Sequence, residues 1–170
     1  MAIVSVRNRV IFFVISTALL AGIYSHGYFH PASRVAPSDA LIERTFNSRR
    51  SQLARLRQMA TEDMQKASYF SKSEVYGGLP APRRQEYKNL LNLLPGVQFG
   101  TVQDGTVEFF FAGDGTAISP SWGKGIEFIP VGTEASDNRK ASLDNCPEVP
   151  EGMFLKEIGP GWFLFCEFQK

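Results

Sequence analysis

The N-terminal segment constrains this chain more than any other. Arg7 and Arg9 are followed by an uncharged run from Val10 to Ser33, densest in apolar residues between Val10 and Tyr24. A membrane-spanning helix needs roughly 20 mostly apolar residues. Val10 to Phe29 supplies that length if Ser25, His26 and Gly27 sit in the interface, with Tyr24, Tyr28 and Phe29 as an aromatic collar beyond. The same pattern of basic start and apolar core also describes a cleaved signal peptide. Its cleavage sites are poor. Cutting after Ala21 puts Leu19 where a small residue is wanted, and cutting after Gly27 falls downstream of Tyr24 and His26. An uncleaved signal anchor is therefore the favoured reading, a cleaved signal the second, and a buried helix the third. A lipid anchor is excluded, because Leu20-Ala21-Gly22 is followed by Ile23 where the acylated cysteine would stand. Arg7 and Arg9 orient the N-terminus toward the cytoplasm, a bias that Arg34 and Arg44 on the other side weaken.

The rest of the chain suits one small domain preceded by a stalk. With 44% hydrophobic residues and 14 Phe among 170, it has material for a packed core. Eighteen Lys and Arg against 17 Asp and Glu leave it near neutral, which argues against a nucleic-acid surface. Cys146 and Cys166 both fall in the exported part. In an oxidising compartment they are expected to form a disulfide tying the Asp144-to-Pro150 loop to the last strand. The alternative is two free thiols. No C-x-x-C motif is present, so a redox role is not expected.

Downstream of a linker from Ala32 to Pro37, Ser38 can cap a helix with Asp39 in its first turn. Ile42, Phe46, Leu53, Leu56, Ala60 and Met64 recur at near three/four spacing, which predicts one amphipathic helix from Ser38 to Ser68 with an arginine-rich polar face. Gly77-Gly78-Leu79-Pro80 breaks the chain. Pro82 then suits the first turn of a short helix carrying Tyr87, Leu90, Leu91 and Leu94, ended by Pro95-Gly96.

From Val97 the period becomes two. Strands are predicted at Val97 to Val102, Thr106 to Ala112, Thr116 to Ser119, Ile126 to Val131, Met153 to Ile158 and Trp162 to Phe168. Turns are expected at Asp104-Gly105, Gly113 to Gly115, Trp122 to Gly125 and Gly159 to Gly161. The short connections make the sheet antiparallel. Trp162, Leu164, Cys166 and Phe168 share one face of the last strand, Phe163 and Phe165 the other, so both faces should be covered, one of them by helix. The fold class is α+β: a transmembrane helix, an amphipathic helix, a short helix, then an antiparallel sheet of about six strands. The parts are an anchor or signal at 1–31, a helical stalk at 32–76 and a small α+β domain at 77–170.

No catalytic constellation is legible. The only histidines, His26 and His30, lie at the membrane edge, so no Ser-His or Cys-His nucleophile is expected in the folded domain. Gly113-Asp114-Gly115 lacks the third glycine of a dinucleotide loop, and Gly123-Lys124 lacks the flanking residues of a phosphate loop. Asp104, Asp114 and Asp144 beside Gly or Asn read as turn chemistry. No cofactor or metal is expected. A carboxylate-dependent hydrolase stays open as a minor alternative, since two acids distant in sequence can meet in space. The pilin pattern is absent, because the processing glycine followed by Phe, with Glu five residues later, is missing.

Leu79-Pro80 with Arg83-Arg84 and Tyr87, Lys124-Gly125-Ile126, Ser142-Leu143-Asp144 and Trp162-Phe163-Leu164-Phe165 resemble a group of small uncharacterised bacterial proteins bearing a signal or anchor. The resemblance covers about half the chain. It implies a bacterial exported protein and supplies no activity.

The expected function is that of a non-catalytic binding or accessory domain. The bilayer holds it through Val10 to Phe29 at the outer face of the inner membrane, with the C-terminal domain periplasmic. An immunity-type inhibitor is one concrete form. Trp122, Lys124 and Asp144, with the loop from Gly132 to Pro150, are the candidate surface for an envelope protein partner. The alternatives are a stalk or oligomerisation component of an envelope assembly, and a cleaved secreted domain.

Overall fold

The computed structural model describes residues 35–169 apart from 117–118, 132, 134–137, 147 and 149. The expected membrane segment and both histidines lie outside the described residues. Among the described residues, no helix is long and apolar enough to cross a membrane.

Helix α1 (Asp39–Asp63) opens at Ser38, whose side chain accepts the Leu41 N–H at 3.3 Å. Its inward stripe is Ile42, Phe46, Leu53, Leu56, Met59 and Ala60, all buried. The seven-residue step from Phe46 to Leu53 straddles Arg49, which leaves helical geometry (φ −128°, ψ 22°) and kinks the helix. The helix ends five residues short of the expected Ser68. The Asp63 carbonyl is taken by a turn to the Lys66 and Ala67 N–H groups, which frees the chain to become a strand. Strands β1 (Tyr69–Ser71) and β2 (Val75–Tyr76) follow, joined by a turn in which Ser71 Oγ accepts from the Glu74 N–H. Neither strand was expected.

Helix α2 (Ala81–Asn92) carries proline in its first turn and buries Tyr87 and Leu91. It is clasped to α1 by ion pairs: Arg83 reaches Asp63 and Glu62, each at 2.7 Å, and Arg55 reaches Glu86 at 2.7 Å. The Tyr87 hydroxyl donates to Asp63 at 3.1 Å.

Strands β3 (Phe99–Gln103), β4 (Thr106–Thr116), β5 (Ser119–Phe128), β6 (Gly152–Gly159) and β7 (Trp162–Gln169) complete one antiparallel sheet of order β2-β1-β3-β4-β5-β7-β6. Six strands have three residues or more, and β2 is a two-residue edge. The Asp104-Gly105 turn is as expected, both residues at positive φ (51° and 84°). The expected turns at 113–115 and 122–125 do not form. Those residues lie inside β4 and β5, with Gly113 opposite Gly123, so the expected short strand at 116–119 is replaced by the distal parts of two long strands. Glycine occurs there because of ring packing. A Cβ on Gly123 would stand 2.8 Å from the Phe110 ring, and one on Gly125 would stand 2.8 Å from Phe165 and 2.1 Å from the Phe109 carbonyl.

Both helices pack on one face of the sheet, the inner face. Alternation puts Trp162, Leu164, Cys166 and Phe168 there with Phe109, Val107, Ile126 and Phe70, and α1 and α2 cover them. Trp162 is a hub, 5.5 Å from Phe46 and 5.2 Å from Phe128 between ring centroids. The outer face carries a smaller cluster of Ile129, Leu155, Phe163 and Phe165, flanked by Phe110 and Met153. The last strand is thus apolar on both sides, as its sequence predicted. Residues 138–140 run alongside β6, with Leu155 bonded to Asn138 and Lys140 through the backbone. Cys146 and Cys166 form the expected disulfide, tying the 142–146 segment to β7. The described residues from Val35 to Gln169 form one compact unit, so α1 belongs to the domain core instead of standing apart as a stalk.

Candidate functional site

The three residues expected to face a partner are distributed differently. Lys124 sits in the middle of β5 with its side chain inward and fully buried. Its Nζ lies 2.9 Å from Asp39 Oδ1 and donates to the Leu143 carbonyl at 2.7 Å, with Asp144 Oδ1 at 4.0 Å. Asp39 in turn accepts the Leu143 N–H at 2.8 Å and approaches Lys156 Nζ at 3.2 Å, while the Asp39 N–H donates to Asp144 Oδ1 at 2.6 Å. Burial opposes the Asp39 charge, but the Leu143 N–H and Lys124 outweigh it and hold the carboxyl below its ordinary range. This is a latch joining the start of α1, the centre of the sheet and the 142–146 segment. Lys124 is therefore not a contact residue. Trp122 is half-buried against the inner core, and only Asp144 of the three has a largely exposed side chain.

The outer face holds a constellation not anticipated from the sequence. Register sets Glu108 of β4 directly opposite Glu127 of β5, both pointing outward, with Phe163 of β7 on the other flank of Glu127. Glu127 is only 5% exposed, and among the described residues its Oε2 has no hydrogen-bond partner. Thr101 of β3 donates its hydroxyl to Glu108 Oε2 at 2.6 Å. Like charges directly opposite destabilise a sheet. Burial raises both carboxyls. Glu127 is pushed up to about 7 by burial first, then by the charges of Glu108 and Glu167. The outward strand positions carry no Lys or Arg. Arg139 of the adjoining segment reaches over Phe163 and is paired with Glu157 at 3.4 Å.

Beside the pair runs an aromatic ridge across four strands: Tyr69–Phe99 at 5.4 Å, Phe99–Phe110 at 4.5 Å and Phe110–Phe165 at 5.0 Å between centroids. Tyr69, Phe99 and Phe110 are half-buried. The Phe99 and Phe110 rings are nearly parallel (14°). A shallow cavity of about 210 Å³ adjoins the ridge, lined by Phe110, Ser121, Trp122, Gly123, Glu167 and Gln169. Glu167 lines it; neither Glu108 nor Glu127 does. Among the described residues, no group of three or more His, Cys, Asp or Glu is placed to hold a metal ion.

One signal in the sequence marks the pair. Val107-Glu108-Phe109 and Ile126-Glu127-Phe128 are two apolar-Glu-aromatic triplets, each on a strand pattern. Period two puts each glutamate opposite in direction to its neighbours, but only register brings them together. No family model matches this chain, nor does any curated protein or solved structure.

Proposed function

We propose that this is a single-pass bacterial envelope protein whose periplasmic domain binds a protein partner without catalysis, docking through the outer sheet face. An immunity-type inhibitor is one such role. The observation that carries the reading is a sheet face on which half-buried aromatics border a pair of opposed glutamates, Glu127 buried and Glu108 half-buried, with no Lys or Arg at its described outward strand positions. Local stability would favour a hydrophobic or oppositely charged pair at Glu108 and Glu127. Two opposed carboxylates break that local rule, and such breaks are expected at functional sites. The complementary occupant is a protein segment with basic side chains among apolar ones: the apolar groups meet the ridge, and the cations meet the half-buried Glu108 and Glu167, beside the buried Glu127. The stalk alternative has less support, since Ile42, Phe46, Leu53 and Leu56 are used in the domain's own core.

The test is site-specific photo-crosslinking in membranes from the native host, with the photoreactive residue at Phe99 on the outer face or at exposed Leu41 on α1. One dominant adduct from position 99 that is absent from position 41, and lost on Phe110→Asp, supports docking through this face. Equal adducts from both positions would overturn it. Protease accessibility of the C-terminal domain in spheroplasts tests the periplasmic placement.

A further inference from the structure

We infer that this docking face is proton-gated: the Glu108–Glu127 pair holds one proton when the face is free and releases it to solvent when a basic side chain of the partner arrives. The inference rests on the reading of the outer face as a docking surface and specifies its regulation.

The geometry supplies the gate. Directly opposed residues of an antiparallel pair have Cβ atoms about 5 Å apart, so a buried Glu127 beside a half-buried Glu108 opposes ionisation of both without a counter-charge. Among the described residues, the groups facing the pair offer no unpaired cation. From β3 comes the Thr101 hydroxyl, already donating to Glu108. From β7 come Phe163 and, further along the face, Glu167. From β6 comes Glu157, paired with Arg139 of the adjoining segment. The Thr101 hydroxyl donates to Glu108 and favours its charged form, against the burial that raises it. Glu127, sealed and with no partner for Oε2 among the described residues, carries the proton. Repulsion and burial put the release near neutrality, where Glu127 titrates at about 7. A cation brought by a partner supplies the missing counter-charge and makes the doubly ionised pair the binding form.

The expected size follows from population arithmetic. The apparent dissociation constant is the intrinsic one divided by the fraction of competent, ionised protein. With a midpoint of about 7, that fraction is roughly 0.1 at pH 6 and roughly 0.9 at pH 8. Association of a basic ligand should tighten roughly tenfold across this interval.

The experiment uses the full-length chain with ¹³C-labelled glutamate, and an alternating Arg-Leu octapeptide as the probe. Carboxyl NMR titration should show one glutamate with a midpoint near 7. That signal should vanish in Glu127→Gln and move to lower pH in Glu108→Gln, and it should persist in Glu167→Gln. The peptide should bind roughly tenfold tighter at pH 8 than at pH 6, and Glu127→Gln, which keeps both histidines, should abolish the difference. A near-neutral titration with equal peptide affinity at both pH values overturns the gate and leaves the docking face standing. No peptide binding at either pH, with the titration intact, overturns the docking reading itself. Every glutamate titrating in the ordinary range overturns the gate at its source.

Discussion

Lys124 Nζ lies 2.9 Å from Asp39 Oδ1, with both side chains almost wholly removed from solvent. The pair bonds the first turn of α1 to the central part of the sheet. Removing one partner of a buried ion pair leaves an uncompensated charge, at a cost of about 3–5 kcal/mol. Lys156, at 3.2 Å, retains some compensation for Asp39. Lys124→Met is expected to cost about 3 kcal/mol in urea unfolding, and Asp39→Asn with Lys124→Met less than the sum of the two single changes. A loss below about 1 kcal/mol for Lys124→Met would show the latch to be energetically idle.

The Cys146–Cys166 bridge closes a 20-residue separation. Constraining a loop of that size should stabilise the fold by about 3 kcal/mol through the unfolded chain. Both cysteines are buried, so reductant and alkylating agent should label them only under denaturing conditions. The thermal midpoint of Cys146→Ser/Cys166→Ser should fall relative to the oxidised protein and match that of reduced wild type.

Stability should depend on pH in two opposite senses. Glu127 rises from an ordinary 4.5 to about 7 on folding, so the native state holds a proton that the unfolded state has lost. Stability then declines as pH rises from about 4.5 to about 7, by roughly 3 kcal/mol in total, and is flat above. Asp39 is lowered, so its contribution is present above the ordinary carboxylate range and lost as pH falls below it. The two together place a maximum near pH 4. Glu127→Gln should remove most of the alkaline decline, leaving the smaller part due to Glu108, and keep the acid one, as read by chemical denaturation at stepped pH.

Two outer-face glycines should respond unequally to a methyl group. At Gly125 the added carbon would meet the Phe109 carbonyl at 2.1 Å, and backbone cannot step aside. At Gly123 the contact is the Phe110 ring at 2.8 Å, which can swing. Gly125→Ala should cost more than the 1–3 kcal/mol typical of overpacking, and Gly123→Ala should fall within it. Near-equal losses would mean that Phe110 is locked by its stacking on Phe99.

The sequence was informative wherever one local rule decided the outcome. Ser38 and the apolar stripe specified α1, Pro82 and the leucines specified α2, and Asp104-Gly105 specified the central hairpin. The two cysteines, with the compartment implied by the N-terminus, pointed to the bridge. It misled where one residue type serves two purposes. Gly113, Gly123 and Gly125 read as turn formers, although their role is to make room for Phe110, Phe165 and backbone. Lys124 beside two glycines read as a loop cation, although its ammonium completes a buried pair with Asp39, 85 positions away in the chain. The Glu108–Glu127 pair was hidden for the same reason: opposition across strands is a property of register, and register is set by the whole sheet.

The latch also has a mechanical side. Asp39 is the first helical residue of α1, so a pull on the chain upstream reaches the helix there, just past Ala36, which packs on the core. Through Lys124 that load passes to β5, which is hydrogen-bonded to β4 and β7 along most of its length, and through Leu143 and Asp144 to the segment riveted to β7 by the disulfide. Tension is thereby shared between two adjacent interior strands, instead of peeling α1 from the sheet one turn at a time.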